Sequence, residues 1–252
     1  MNKIPVVIPY LASGAQGREL EYAIAGWRQY AKFPFLIVLV GDYHPIVRTG
    51  EDIIFINCPQ VPMPELTEWR CHLDHVHKFR RVHDILGMEN FIYACDDMYA
   101  VNDFTLADVM ESKLLEDDML GNPLDPNGWV RDMWKTRKLC IENGFDVKNW
   151  VCHLPVYYNW DLLERIYKDF DCDHHSYVVE NIYFNALAPL TYTRIDGKDR
   201  YKFGCYDQGY TAEDLDKAFR EKIWITNSPE GWTDILDKKL YQHLIWKRQK
   251  NS

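Results

Sequence analysis

The first hundred residues alternate between short β-rich runs and segments of helical periodicity, and this alternation restricts the fold more than any other feature. The β-rich runs are IPVVIPYL (4–11), FLIVLVGD (35–42), IIFINC (53–58) and FIYAC (91–95). Their apolar residues do not alternate strictly with polar ones, which is typical of strands covered on both faces. Apolar side chains recur at helical spacing in 19–31 and 74–86. The order strand, helix, strand, strand, helix, strand predicts an α/β fold with a mainly parallel twisted sheet flanked by helices.

The ends of the predicted strands place several residues at one edge of that sheet. Ligands of parallel α/β sheets bind beyond the carboxyl ends of the strands. Residues 9–14, Gly41 with Asp42, and Cys95 to Asp97 each follow a predicted strand. The sequence therefore predicts a crevice that these three segments share.

The rest of the chain is less regular, and we expect one domain without internal repeats. Pro, Gly and acidic residues predict a loop over 116–128, and a helix follows over 129–142. Residues 149–170 suggest a strand, a turn containing Pro155 and then a helix. Another helix is predicted to end near Pro189, a late strand and turn lie within 221–232, and a helix over 232–246 closes the chain.

The charge of the chain bears on its partners. A formal net charge of -9 argues against a protein whose whole surface follows nucleic acid. A local basic stretch nevertheless runs from Arg70 to Arg81 and includes Lys78 and Arg80. We interpret Arg80 and Arg81 as the solvated face of a helix, and the stretch leaves nucleic acid open as a partner.

Cysteine usage and apolar runs indicate the compartment. The seven cysteines are scattered and form no C-x-x-C pair, so they indicate a reducing environment rather than a disulfide framework. The longest apolar run, FLIVLV, is far shorter than the roughly 18 residues of a membrane span. Pro5 and Pro9 interrupt the apolar N-terminal run, which we interpret as a strand rather than a signal peptide. We expect a cytoplasmic protein without a membrane span.

Two adjacent carboxylates, Asp96 and Asp97, follow the apolar run FIYA. Taken alone, the pair fits a turn or helix cap as well as it fits a metal site. Carboxylate oxygens suit Mg²⁺ or Mn²⁺, and Mg²⁺ is commonly held by one or two carboxylates together with substrate phosphates. The position at a ligand-binding edge therefore favours a metal site that neutralises a diphosphate.

Three strings in order, IPVVIPYL, LIVLVGD and FIYACDDMY, resemble the nucleotide-sugar half of a GT-A glycosyltransferase. In that family a strand-end D-x-D or x-D-D motif holds a divalent metal on a nucleoside diphosphate. The segments GRELEYAIAGWRQYAKFPFLIVLVGD and KFRRVHDILGMENFIYACDDMYAVNDF are also similar to Stealth-type sugar-phosphate transferases. The resemblance covers residues 4–105, and Cys95 stands where the family has Asp or Asn. It implies one GT-A-like domain over 1–252, with a nucleotide-sugar half (1–105) and an acceptor half (106–252).

The resemblance implies Mn²⁺ or Mg²⁺ as the cofactor. It assigns metal binding to Asp97, and His153 in the later string CHLPV is a candidate second ligand. Asp96 would face the ribose or a water on the metal. A lone histidine is more often a hydrogen-bonded structural residue, so that role stays open for His153.

The resemblance also implies a donor site, with a uridine diphosphate sugar as the commonest donor. Pro9 and Tyr10 would border the nucleobase, and Asp42 would accept hydrogen bonds from the base or ribose. Lys78 and Arg18 are candidate partners of the diphosphate. Ordinary roles stay open for three of them: Asp42 as a turn residue, Lys78 as a buried stem with a solvated ammonium, and Arg18 as a surface residue.

An inverting transferase needs a general base for the acceptor hydroxyl, and a retaining one does not. The candidates are Asp173 and Glu180, and Glu180 is preferred because its helix resembles the one that carries the base in many inverting GT-A enzymes. An exposed helix glutamate is the ordinary alternative. Aromatic residues form an acceptor platform or part of the core in this half of the chain: Trp129, Trp134, Tyr157, Tyr158 and Trp160.

The sequence thus predicts a metal-dependent hexosyl- or pentosyltransferase that moves a sugar from a nucleoside diphosphate to an acceptor hydroxyl. A glycan is the favoured acceptor, followed by hydroxylated nucleic acid. Two alternatives stay open: a Stealth-like enzyme that transfers sugar phosphate, and a nucleotide- or sugar-binding module without turnover.

Overall fold

The predicted alternation of strands and helices is present in the computed structural model, which describes residues 3–60 and 70–246. The strands of this described part are β1 (Ile4–Tyr10), β2 (Phe35–Gly41), β3 (Ile53–Asn57), β4 (Asn90–Tyr93), β5 (Met98–Ala100), β6 (Lys113–Leu114), β7 (Val156–Asn159), β8 (Thr193–Arg194), β9 (Lys202–Cys205) and β10 (Trp224–Asn227). The helices are α1 (Glu19–Tyr30), α2 (Arg70–Leu86), α3 (Leu106–Met110), α4 (Gly128–Glu142), α5 (Trp160–Asp169), α6 (Val179–Leu187), α7 (Ala212–Glu221) and α8 (Asp234–Leu240).

The largest sheet has the strand order β3-β2-β1-β4-β7. All its pairs are parallel except β4 with β7, which is antiparallel. Val6 on β1 pairs with Ile37 on β2 and with Ile92 on β4, so the carboxyl ends of these strands lie side by side. The mainly parallel sheet flanked by helices that the sequence predicts is therefore confirmed.

Successive residues of β1 enter the core on opposite faces of the sheet. Val6 and Ile8 pack in one apolar cluster with Trp27 of α1, whereas Val7 packs in another with Phe79 of α2. Helices α5 and α6 complete the second face. A strand covered on both sides in this way reads as a continuous apolar run, which is why β1 and β2 were visible in the sequence.

Gly41 ends β2 where the backbone of β1 comes close. Its φ is +131°, and a Cβ at this position would lie 2.0 Å from the carbonyl oxygen of Tyr10. Only glycine fits here. The close approach brings the next residue, Asp42, beside the end of β1, where its amide donates to the Tyr10 carbonyl at 3.1 Å.

A second sheet, with strand order β5-β10-β9, packs against α1, and the sequence analysis missed most of it. Strands of two to four residues such as β5, β6, β8 and β9 carry too little periodicity to be recognised. Helices α3 and α7 were also missed. The predicted closing helix is present as α8, followed by a π-helical turn over Tyr241–Trp246.

The strand predicted before Pro155 is wrong, because the strand β7 begins after that proline. Residues 149–155 are irregular apart from an isolated bridge between Asn149 and Glu116. The side chain of Asn181 accepts the backbone N–H of Trp150 at 2.6 Å and so replaces a neighbouring strand. His153 therefore precedes a strand instead of following one.

The solvated face predicted for Arg80 and Arg81 is correct only for Arg81, which is exposed. Arg80 is half-buried, lies over the ring of Tyr167 at 5.5 Å and has its Nη2 atom 3.1 Å from Asp173. The side chain of Arg70, also part of the basic stretch, lies outside the described atoms. Within residues 3–60 and 70–246, no helix is long and apolar enough to cross a membrane.

Candidate active site

A cavity of about 690 Å³ opens at the carboxyl ends of β1 and β4 and extends between the sheet and helices α2, α5 and α6. Two groups of its lining residues differ in character. The polar wall consists of Asp96, Asp97, His153, Glu180, Lys202 and Tyr206. The apolar wall consists of Val76, Phe79, Tyr158, Leu163, Tyr167 and Val178.

Asp97 and His153 form the centre of the polar wall. The His153 Nε2 atom lies 2.9 Å from Asp97 Oδ1, although the two residues are 56 positions apart. His153 has a φ of +52°, a left-handed conformation that is uncommon for residues other than glycine. Strained backbone of this kind clusters at functional sites. The irregular segment before β7 thus directs an imidazole at the carboxylate that follows β4.

Half-buried Asp96 shares this region with Glu19, a buried carboxylate at the start of α1. Burial, followed by the negative charges of Asp97 and Glu19, raises the pKa of Asp96 to about 8. Burial also raises the pKa of Glu19, although Asn227 donates a hydrogen bond to its Oε1 atom at 2.7 Å. This accumulation of carboxylates is the electrostatic environment that a bound cation would relieve.

Two side chains of the polar wall have the chemistry to hold a divalent cation, and they would not suffice alone. In the described part of the chain, no group of three or more His, Cys, Asp or Glu side chains is arranged to hold one ion. Asp97 and His153 can supply two ligands, because adjacent ligands of an octahedral ion with bonds of 2.0–2.1 Å lie about 3 Å apart. The remaining positions would need ligands from outside the protein.

Glu180 lies in the first turn of α6 and faces the same cavity. Burial raises the pKa of its carboxyl to about 8, against the opposing charges of Lys113 and Lys202. Lys202 is held by hydrogen bonds that its Nζ atom donates to the Cys152 carbonyl at 2.6 Å and to Tyr206 Oη at 2.9 Å. A carboxyl that keeps its proton until about pH 8 can exchange it with a substrate near neutral pH.

The predicted nucleobase residues lie around the end of β1. Pro9 lines the cavity, whereas Tyr10 is buried with its ring edge-on to His44 at 5.6 Å. Asp42 Oδ2 accepts a hydrogen bond from the backbone of Ala12 at 2.9 Å, so it orders the loop after β1. The structure brings these three residues together, and their contacts with a donor stay predictions.

The two predicted diphosphate partners lie elsewhere. Lys78 is only 1% exposed and its Nζ atom lies 2.6 Å from Asp74, so the alternative of a solvated ammonium is wrong. Its positive charge still lowers the pKa of Asp96. Arg18 pairs with Glu21 and lies over the rings of Tyr22 and Tyr241, and it does not line the cavity.

Sequence reasoning missed a buried group beside the apolar wall. Asp132 of α4 is 1% exposed, and its Oδ2 atom lies 2.9 Å from His72 Nδ1 and accepts a hydrogen bond from Ser176 Oγ. Since His72 lines the cavity, Nε2 is the ring nitrogen left to meet a ligand. Asp132, His72 and Ser176 come from three distant segments of the chain, so no spacing pattern within one segment could have predicted their contact.

Only two of the five aromatic residues of the predicted platform line the cavity. Trp129 and Tyr158 line the cavity. Trp160 is buried and stacks on His83 at 4.3 Å, and Trp134 lies 5.9 Å from the Lys138 ammonium. Tyr157 packs against the core cluster that contains β1 and α1.

No protein-family model matches this chain, and no curated protein matches it either. Solved structures of glycosyltransferases do. The apo form of the glycosyltransferase GlyE of Streptococcus pneumoniae TIGR4 is 15% identical, with 99% of this chain and 62% of that chain covered and a TM-score of 0.46. A glycosyltransferase involved in glycosylation of the major capsid of PBCV-1 is 10% identical, with 97% and 100% covered and a TM-score of 0.42.

The bifunctional glycosyltransferase WbbM in its apo form is 9% identical, with 98% of this chain and 51% of that chain covered and a TM-score of 0.50. The chain thus spans less than two thirds of the length of GlyE and about half that of WbbM. At this identity the likeness to WbbM shows the fold alone. The mixed α/β architecture, with a mostly parallel central sheet, is one that a solved glycosyltransferase shares.

Proposed function

We propose that the protein is a GT-A glycosyltransferase that moves a sugar from a nucleoside diphosphate, with uridine diphosphate favoured, to an acceptor hydroxyl. The observation that carries the proposal is the Asp97–His153 pair, 2.9 Å apart at the end of β4 in a cavity that Glu180 also lines. A shared fold supports the reaction class, and this site supplies groups that its chemistry requires.

Asp97 and His153 would hold Mn²⁺ or Mg²⁺, which when bound offsets the negative charge that develops on the diphosphate. Lys202 brings a further positive charge to the same wall. The bond between the anomeric carbon and the diphosphate oxygen breaks, and the acceptor oxygen bonds to that carbon. In an inverting reaction, the deprotonated form of Glu180, a minor fraction below its pKa of about 8, accepts the proton that the acceptor hydroxyl loses.

Thermal unfolding in the presence of nucleoside diphosphates tests the donor site. We expect one of UDP, GDP, ADP and CDP to raise the melting temperature only when Mn²⁺ is present. A ligand at about a hundred times its Kd stabilises the folded state by about 2.7 kcal/mol. His153→Ala should lose the effect, and His77→Ala, a change on the exposed surface of α2, should keep it. No effect with any diphosphate would refute the proposal.

The products distinguish glycosyl transfer from the Stealth-like alternative. Glycosyl transfer and donor hydrolysis release the nucleoside diphosphate, because the bond to the anomeric carbon breaks. Transfer of sugar phosphate releases the nucleoside monophosphate, because a bond to phosphorus breaks. The protein is therefore incubated with sugar conjugates of the nucleoside diphosphate that raises the melting temperature, and the released nucleotide is identified by chromatography. A donor that stays intact would favour a binding module.

A further inference from the structure

One aromatic ring of the cavity lining is open to solvent. Among the described residues, Tyr206 is the one Phe, Tyr or Trp side chain of this lining that is exposed, at 44%. Tyr158 and Tyr167, on the apolar wall, are only 3% and 1% exposed. A molecule in the cavity can therefore lie against the Tyr206 ring without displacing side chains of the core.

Hydrogen bonds hold Tyr206 at both ends of the residue. Lys202 Nζ donates to Tyr206 Oη at 2.9 Å, and Oη also lies 3.1 Å from Oγ1 of Thr226, which is 0% exposed. The Lys202 ammonium is itself fixed by the hydrogen bond that it donates to the Cys152 carbonyl. At the backbone, the Tyr206 carbonyl accepts a hydrogen bond from Ser228 Oγ at 3.0 Å. The exposed ring thus has a fixed orientation.

Gly204, two residues before Tyr206, provides the space that the ring occupies. A Cβ at position 204 would lie 2.3 Å from Tyr206 Cε2, so any other residue there would collide with the ring. On another side the ring meets the imidazole of His153, with centroids 6.1 Å apart and planes at 61°. A mobile side chain loses rotamer freedom when a ligand binds. The ring of Tyr206 is already ordered, which lowers that cost of binding.

The surroundings of this ring suit a sugar. The face of an aromatic ring carries partial negative charge, which attracts the C–H groups on the flat face of a sugar ring. The hydroxyls of the sugar then need hydrogen-bond partners. Contacts within the described residues use two of the three N–H donors of Lys202, so one remains for a ligand. Asp207 and Gln208, which follow Tyr206, are exposed and add further polar groups.

Tyr206 belongs to a different part of the fold from the residues expected to bind the donor. Pro9 and Asp97 follow strands of the main sheet, whereas Tyr206 follows β9 of the second sheet. All three line the same cavity. The Tyr206 ring also adjoins His153, which lies 2.9 Å from Asp97. A sugar stacked on Tyr206 would therefore lie beside the expected position of the donor diphosphate.

We propose that Tyr206 is the stacking platform for a sugar of the acceptor, and hence that the acceptor is a glycan rather than nucleic acid. The proposal rests on the proposed glycosyl transfer and names the acceptor class of that same site. It assigns the platform to a residue that the sequence analysis did not select.

Binding of the full chain to a glycan array tests this proposal, with and without the diphosphate and Mn²⁺ that raise the melting temperature. We expect at least one class of glycan to bind, and calorimetry with that glycan gives its Kd. Tyr206→Ala should weaken binding about tenfold, because the stacked ring is lost. Tyr206→Trp keeps an aromatic face and should retain binding. Tyr192→Ala, a change of a tyrosine that is 41% exposed outside the cavity lining, should leave the Kd unchanged.

Nuclear Overhauser effects between the C–H protons of the glycan and the ring protons of labelled tyrosine would place the sugar even if Tyr206→Ala failed to fold. Tyr206→Phe identifies the Tyr206 signals, because it removes them from the spectrum. Failure of every glycan to bind, or glycan binding that Tyr206→Ala leaves intact, would overturn the proposal. Preferential binding of a single-stranded DNA oligonucleotide would overturn it in favour of a stacked nucleobase.

The diphosphate melting experiment separates this proposal from the proposed function. A Mn²⁺-dependent shift without glycan binding refutes only the acceptor platform. Glycan binding that depends on Tyr206, without a shift by any diphosphate, supports the platform and refutes glycosyl transfer.

Discussion

The polar wall consists of ionisable groups from distant parts of the chain, whereas the apolar wall consists of buried side chains of the hydrophobic core. Asp97 follows a strand of the main sheet, where the backbone turns outward and charge can meet a ligand. Leu163 lies on the inner face of α5, where only apolar contacts are available. The comparison predicts that changes in the polar wall alter chemistry and spare the fold, and that changes in the apolar wall do the reverse.

The largest expected effect belongs to Asp97→Asn. Loss of the carboxylate charge should reduce Mn²⁺-dependent turnover about a thousandfold or more, because metal-assisted charge neutralisation contributes several kcal/mol. The melting temperature without ligand should change little, because Asp97 lines the cavity at the carboxyl end of β4 and is not part of the hydrophobic core. Asp84→Asn, an exposed change on α2, is the matched control. Turnover that survives in Asp97→Asn would remove this residue from the mechanism.

Glu180→Gln should separate catalysis from donor binding within the polar wall. If Glu180 is the base, kcat falls about a hundredfold or more while the Kd of the donor is unchanged. Steady-state kinetics and a donor titration measure the two quantities, with Glu213→Gln on the exposed surface of α7 as the control. Equal losses in both would assign Glu180 a positioning role.

Leu163→Ala tests whether the apolar wall contributes to the stability of the fold. The free energy of unfolding in urea should fall by about 2–3 kcal/mol, near the lower end for buried leucine because the cavity already lies beside it. Leu190→Ala, at a side chain 99% exposed, should change it by less than about 0.5 kcal/mol. The diphosphate-dependent melting shift should persist in both variants. Its loss in Leu163→Ala would show that the two walls are not independent.

The smallest expected effect is a pH dependence of stability. The Glu180 pKa is raised from 4.5 to about 8 in the folded protein, so between these values the unfolded chain has released a proton that the folded chain retains. Glu180 therefore lowers stability progressively as pH rises through this window. Glu180→Gln should melt higher than the wild type at pH 8.5 by roughly 2–4 °C, about 1 kcal/mol, and gain less at pH 5. A gain that is independent of pH would contradict the raised pKa.

Local patterns account for the parts of the fold and site that could be predicted. The strands β1 to β4 and helices α1 and α2 each carry their own periodicity over one segment of chain. Parallel pairing then brings the residues after β1, β2 and β4 to one edge, which is why Asp42 and Asp97 could be placed near the crevice. A local signal for Lys78 was overlooked: Asp74 stands four positions earlier on the same helix, and the two form an ion pair.

The sequence by itself determined the α/β class, the parallel sheet and the carboxylates at its ligand edge, because these depend on periodicities of two and 3.6 residues within short segments. Only the tertiary structure decided that His153 meets Asp97, that Asn227 holds Glu19, and that the cavity has an apolar wall. Such contacts join residues 56 or 208 positions apart. These contacts form only when whole helices and strands pack together, and the spacing of residues along the chain does not predict how those elements pack.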